Sequence, residues 1–311
     1  MSTAVLIALG ATPRLVAAQT SADEAVAAMI AHWRERLREA ALHAPDLVLL
    51  PEYADQPDDA WFLPHRAEYL AARGDRFERA LQQVAAEMGA NIVFDAVRER
   101  DGRLFNTVTA IDRAGRIVGR HEKRVVTLDE AERLGLSYGE EATVFDLDIG
   151  RVSALVCFDL NFAAERARVA AERPDVVVFP SNFHGGFLQQ QLAYESEAFV
   201  LSAIAQPAPS AIVDPVGRIV AASTNYTPMA VATVSLDAAV VHLDDNLTRL
   251  AELKRRHGAA VEIADPGLIG VVLVSAAGEV PLERMLSGLD IVRARDYLSA
   301  SERARGEASS G

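Results

Sequence analysis

Short apolar runs alternate with longer stretches of helical period along most of the chain. Ala25, Met29, Trp33, Leu37 and Ala41 recur at spacing four. That places them on one helical face and predicts a helix over residues 25–41. Residues 76–88 have the same character and are closed by Gly89. Residues 161–173, 189–203 and 246–257 read as further helices, and the segment from about residue 280 as helical and charged. Between them lie runs of strand length at 15–19, 46–50, 91–97, 105–112, 117–122, 143–147, 152–156, 175–179, 211–215, 218–222, 230–236, 260–264 and 268–275. Asp101-Gly102 and Gly115 supply turns between neighbouring runs. Residues 1–12 are apolar and fit a strand, a leader or part of an interface; the closing GEASSG reads as disordered. Hairpins mixed with crossovers suit two sheets with helices outside, although periodicity alone does not choose between this and other α/β layouts.

Composition narrows the class. With 311 residues, 50% of them hydrophobic, the chain can bury a large core, and 24% charged residues do not describe a disordered chain. A net charge of −13 makes nucleic acid and anionic membranes poor partners. No run approaches the ~18 uninterrupted apolar residues of a membrane span, and the N-terminus lacks the basic region of a secretory signal. A cytoplasmic location with neither membrane nor nucleic-acid partner is expected. Cys157 is the one cysteine, so no internal disulfide can form.

Three positions carry candidate chemistry. Asp-Leu-Val-Leu-Leu-Pro-Glu52 is an apolar strand delivering an acid past its C-terminal end, where α/β sheets bind ligands. Taken alone, Glu52 is equally a surface acid after a proline. Lys123 lies in the Arg-His-Glu-Lys-Arg run that closes the strand from Ile117, and such runs are usually solvated. Cys157 closes the apolar Val-Ser-Ala-Leu-Val run just before a helix. There a helix N-terminus favours thiolate, although a lone cysteine is more often an inert core residue. The histidines show no metal-ligand spacing and no phosphate-cradling glycine loop appears, so neither metal nor cofactor is expected.

In this order the three elements resemble the nitrilase superfamily of carbon–nitrogen hydrolases. Leu-Pro-Glu52 is similar to its glutamate motif, Gly119-Arg120-His121-Glu122-Lys123 to its lysine motif, and Val156-Cys157-Phe158-Asp159-Leu160 to its cysteine motif. The Asn106…Gly115 hairpin, Pro180-Ser181 and Asp214-Pro215-Val216-Gly217-Arg218 also look like the family, so the resemblance spans roughly residues 14–240. Departures fall at Val125, at Asn161-Phe162-Ala163-Ala164 and around residues 193–197.

The resemblance implies a four-layer α-β-β-α sandwich with two mixed β-sheets over residues 1–280, followed by a C-terminal helical extension at 281–311. It also implies a homodimer or higher homo-oligomer. It assigns Glu52 as base, Cys157 as nucleophile, and Lys123 with the Phe158 N–H as stabilisers of the oxyanion. Glu132 becomes the second site glutamate, with Glu130 as a neighbouring competitor. Asn182, Phe183 and His184 become substrate-binding candidates with Phe158. The reaction expected is hydrolysis of an amide or N-carbamoyl group in a small molecule through a thioester. Nitrile hydrolysis, acyl transfer, a cysteine–histidine hydrolase and a non-catalytic assembly module are the alternatives.

Overall fold

The computed structural model describes residues 3–10, 14–140, 143–244, 246–267 and 269–308. The first half runs β1 (Thr3–Leu9), α1 (Ala22–Ala41), β2 (Leu47–Leu49), α2 (Asp59–Arg73), α3 (Arg76–Met88), β3 (Asn91–Arg100), β4 (Arg103–Ile111), β5 (Ile117–Glu122) and α4 (Leu128–Glu132). The second half runs β6 (Phe145–Leu147), β7 (Gly150–Ala154), α5 (Ala163–Glu172), β8 (Val176–Ser181), α6 (Leu188–Ser196), β9 (Phe199–Ile204), β10 (Ala211–Val213), β11 (Ile219–Ala222) and β12 (Met229–Ser235). Then follow β13 (Ala238–His242), α7 (Leu247–His257), β14 (Val261–Ala264), β15 (Val271–Ala276), α8 (Leu282–Ser287) and α9 (Ala294–Ala308).

Two six-stranded sheets have the orders β12-β1-β2-β3-β4-β5 and β11-β10-β9-β8-β7-β6. Each has a parallel centre, β1-β2-β3 and β7-β8-β9, with antiparallel flanks. The central strands are buried on both faces, which is why they read as near-continuous apolar runs. Leu6, Leu49, Val93 and Val108 of the first sheet meet Val152, Val178, Leu201 and Ile212 of the second in one inter-sheet core. The opposite face of the first sheet, with Ile7, Val48 and Ile92, packs on α1 and α3 through Met29, Trp33, Leu37, Phe77 and Leu81. The outer face of the second sheet, with Val177, Phe179 and Val200, packs on α5 and α6 through Val169 and Leu192. The result is the four-layer α-β-β-α sandwich with two mixed sheets. A third sheet, β13-β15-β14, closes over Leu250, Leu253, Leu282, Met285 and Leu286 of α7 and α8. No helix among the described residues is long and apolar enough to cross a membrane.

Local signals explain the helices. Ser21 and Glu24 form a reciprocal capping box at the start of α1. Gly89 ends α3 at φ +64°, a left-handed backbone that costs glycine little.

Several sequence expectations need correction. Residues 15–19 are not a strand but an irregular segment with Leu15 80% exposed; no neighbouring strand takes up its hydrogen bonds. The first strand is β1, earlier in the chain. Residues 189–203 are not one helix: α6 stops at Ser196, Glu197 takes a left-handed φ of +51°, and the apolar run that follows is β9. The α2 helix and β13 were not anticipated. Residues 306–308 of the expected disordered tail are helical, while 309–311 and the start of the expected strand at 268–275 fall outside the described residues.

Candidate active site

The loops after β2, β5 and β7 bring Glu52, Lys123 and Cys157 to the same end of the sandwich. Glu52 is 4% exposed and Lys123 1%. Lys123 Nζ donates to Glu52 Oε1 at 2.8 Å and to both oxygens of Glu130, at 2.7 and 2.9 Å. Asn106 Nδ2 donates to Glu52 Oε1 at 2.9 Å, and the Asn182 backbone N–H to Glu52 Oε2 at 3.0 Å. Glu52 therefore has three nitrogen donors, each from a different segment. The loop that carries it is tied from beneath: Trp33 Nε1 donates to the Ala54 carbonyl, Tyr69 to the Asp55 carbonyl, and Arg73 to the Asp55 carboxylate.

Cys157 opens a short 3-10 turn, Cys157–Asn161, directly after the second-sheet core. Its φ is +46°, a left-handed conformation that costs a non-glycine residue about 1–2 kcal/mol. Such strain persists only where surrounding contacts over-determine it. One of them is Asp159, fully buried, whose two oxygens accept the N–H groups of Val125 at 2.7 Å and Val156 at 3.1 Å. Asp159 thus ties the strand end bearing Lys123 to the turn bearing Cys157. Burial pushes its carboxyl up to about 6, with the two backbone donors pulling the other way.

Electrostatics divide the roles. Burial raises the Cys157 thiol well above its ordinary range and the Glu52 charge adds to this, while Lys123 and Ser181 pull it down. The resting sulfur holds its proton, with Glu52 and Ser181 as its hydrogen-bond neighbours. For Lys123, burial opposes the charge, but the carboxylates of Glu52 and Glu130 outweigh burial and keep the ammonium protonated. Glu130 likewise resists burial, and Lys123, Tyr53 and Thr127 hold its carboxylate below the usual range.

Of the two candidate glutamates the structure brings Glu130 to Lys123, and not Glu132. Glu130 is buried, pairs with Lys123, accepts the Tyr53 hydroxyl, and accepts the Thr127 N–H at 2.7 Å. Glu132 is two residues on, about 200° around the helix, and exposed. We expect Glu130→Gln to lower kcat/KM about 10–100-fold through the loss of charge-assisted hydrogen bonds. Glu132→Gln is expected to stay within about twofold. Steady-state kinetics on the two variants decide the assignment, and equal losses would refute it.

The other candidates divide. Phe158 is half-buried beside the nucleophile, with Phe162 edge-on at 5.2 Å. Asn182 reaches Glu52 through its backbone N–H, while the residue itself is exposed. Phe183 is half-buried and packs edge-on against Phe179, at the margin of the core beneath α6. His184 is held within its own loop: its Nδ1 accepts the Gly186 N–H at 3.1 Å and its carbonyl accepts Gln189. The sequence assigns Tyr53, Asp95 and Asp159 no role of their own, although Asp95 interrupts the buried run of β3, where a carboxyl is out of place. No cluster suited to a metal ion occurs among the described residues.

Known proteins give a consistent picture. The chain is 28% identical to the omega-amidase of Bos taurus over 250 residues, 71% of this chain and 83% of that one. It is 26% identical to the chloroplastic omega-amidase of Arabidopsis thaliana over 266 residues, 76% of this chain and 70% of that one. Among solved structures, a cysteine-to-alanine mutant of a Nesterenkonia amidase from the nitrilase superfamily superposes with a TM-score of 0.64 at 19% identity, covering 81% of this chain and 96% of that one. A CN-hydrolase superfamily protein from Xanthomonas campestris gives 0.62 at 20% identity, covering 83% and 96%. The family model for carbon-nitrogen hydrolases matches residues 14–243, so the chain belongs to the carbon–nitrogen hydrolase family, the nitrilase superfamily.

Proposed function

We propose that the protein hydrolyses a non-peptide carbon–nitrogen bond in a small amide through a thioester on Cys157. The observation that carries this is the buried cluster in which one ammonium, Lys123, is gripped by two carboxylates beside a protonated thiol that faces Glu52. A scaffold has no need to bury such a set, because each ion costs several kcal/mol to desolvate.

Glu52 takes the Cys157 proton as the sulfur attacks the carbonyl carbon. Charge collects on the former carbonyl oxygen, where Lys123 and the Phe158 N–H stabilise it. Collapse breaks the carbon–nitrogen bond, and Glu52 returns the proton to the departing amine. Water then loses a proton to Glu52 and attacks the thioester; the acid leaves and the sulfur regains its proton. Glu130 holds the Lys123 ammonium in place throughout.

Amides rank ahead of N-carbamoyl groups and nitriles because three of the four proteins named above are amidases. Assembly as a homo-oligomer belongs to the same reading. Exposed Phe162, Phe187 and Tyr194 around α5 and α6 supply apolar surface for it.

Intact-mass spectrometry tests the chemistry. The wild type, incubated with a panel of amides, carbamoyl amino acids and nitriles, is expected to gain the acyl mass of its substrate, and Cys157→Ala to gain none. Ammonia release with no dependence on Cys157 would sink the proposal.

A further inference from the structure

Asp95 is a buried acid that the mechanism above does not use. It lies on β3 at 0% exposure, on the inward face next to the Glu52 loop. Its Oδ1 accepts the Tyr53 N–H at 2.8 Å, and its backbone carbonyl accepts the Ala54 N–H at 3.0 Å. The residue right after Glu52 is therefore clamped by one side chain. Tyr53 needs the clamp, because its φ of +55° is left-handed, a conformation unfavourable for a residue with a side chain.

The donors around the buried acids differ in number. Glu52 receives Lys123, Asn106 and the Asn182 N–H; Glu130 receives Lys123 twice, Tyr53 and Thr127; Asp159 receives two N–H groups. Among the described residues Asp95 receives only the Tyr53 N–H, and its Oδ2 has no partner. The ionisable groups facing it are Glu52, Tyr53 and Asp55 from the loop after β2 and Lys123 from beyond β5, and burial and the surrounding carboxylates push the Tyr53 hydroxyl far up. Lys123 is already bound to two carboxylates, and Asp55 is paired with Arg73. From the facing sheet, β8 (Val-Val-Val-Phe-Pro-Ser) brings no ionisable side chain. A bare carboxylate there would be a second buried anion beside Glu52 with no cation of its own, an arrangement in which one of the two acids keeps its proton. Burial, with the Glu52 charge behind it, pushes the Asp95 carboxyl far up.

We infer that Asp95 is a positioning residue for Glu52 that works as the neutral acid: it fixes the left-handed turn after Glu52 and leaves Glu52 as the negative charge nearest the thiol. The inference rests on the reading of Glu52 as the base. It predicts different results for two substitutions. Asp95→Ala removes the acceptor for the Tyr53 N–H, and kcat is expected to fall about tenfold or more with KM within about twofold. Asp95→Asn keeps a carbonyl acceptor and the neutral state. Its kcat is expected to fall no more than a few-fold, and the acid limb of its kcat/KM profile to stay within about 0.3 pH unit of wild type.

The experiment is the pH dependence of kcat and kcat/KM for both variants, on the amide that acylates wild-type Cys157, with Glu52→Gln alongside. An acid limb displaced by about one unit or more to lower pH in Asp95→Asn would mean that a negative charge had been removed beside the base, and would overturn the neutral-acid assignment. Wild-type kcat in Asp95→Ala would overturn the positioning role. If Asp95→Ala fails to fold, the profile of Asp95→Asn still decides. Full turnover in Glu52→Gln would instead remove the base assignment, whatever the Asp95 variants do.

Discussion

Lys123→Met is expected to eliminate measurable turnover and to lower the free energy of unfolding by about 3–5 kcal/mol near pH 8, the usual cost of stripping one partner from a buried ion network. Glu52 and Glu130 would be left facing each other without the ammonium that both now contact. The deficit should depend on pH. Glu130 is held below its ordinary range in the wild type. Its contribution is therefore fully present above the unfolded carboxyl value near 4.5 and is lost as pH falls through the lower folded value. In the methionine variant the stranded carboxylates take up protons instead, so the gap to wild type should narrow toward pH 5. Urea unfolding at pH 8 and pH 5 measures this, and a gap that is equal at the two pH values would count against the ion network. Lys123→Arg keeps the charge but replaces a compact ammonium with a planar fork in a closed site. It should rescue much of the stability and little of the activity. Wild-type-like turnover in that variant would show that the position of the charge is immaterial.

Glu52→Gln should lower kcat by about 10²–10⁴, the range for removing one general acid–base group. Glutamine preserves the volume and its carbonyl oxygen can still accept from Lys123 and Asn106, while the hydrogen bond from the Asn182 N–H is lost, so the loop should keep most of its shape. The thiol should remain chemically available, because the Glu52 charge is one of the forces now holding its proton on. Turnover and alkylation by iodoacetamide should therefore separate, with the first nearly lost and the second retained. Loss of both would point to a collapsed site. Retention of both would shift the base role to another group, a histidine in the cysteine–histidine reading.

The layout of the sandwich was legible where burial imposes a clear period. The spacing-four face of α1 and the apolar central strands follow directly from what they pack against. The boundary between α6 and β9 was hidden because the turn is made by Glu197 in a left-handed conformation, where glycine is the usual signal. The α2 helix carries Pro64 inside it, which argues locally against a helix. Leu15 looked like a strand residue because local hydrophobicity cannot tell whether a partner strand will arrive.

The order of Glu52, Lys123 and Cys157 was visible as motifs. The choice between Glu130 and Glu132 was not, because Glu130 also completes a capping box with Thr127 at the start of α4. That Thr-x-x-Glu spacing was the available signal, and it looks the same whether the carboxylate only caps a helix or also reaches an ammonium. The roles of Tyr53 and Asp95 depend on backbone angles and a contact across more than forty residues, which a linear pattern does not encode.

The pairing of β1 with β12 bears on how the protein is made. Thr3 aligns with Ser235 and Leu9 with Met229. At about 5–20 residues per second, a ribosome completes the partner strand roughly 10–50 s after β1. Until then Leu6, Ile7 and Leu9, all buried in the finished molecule, lie along a strand with one side open. Open apolar strand edges are templates for unwanted pairing. Stopping translation before residue 229 should produce an aggregating polypeptide rather than a weakened enzyme.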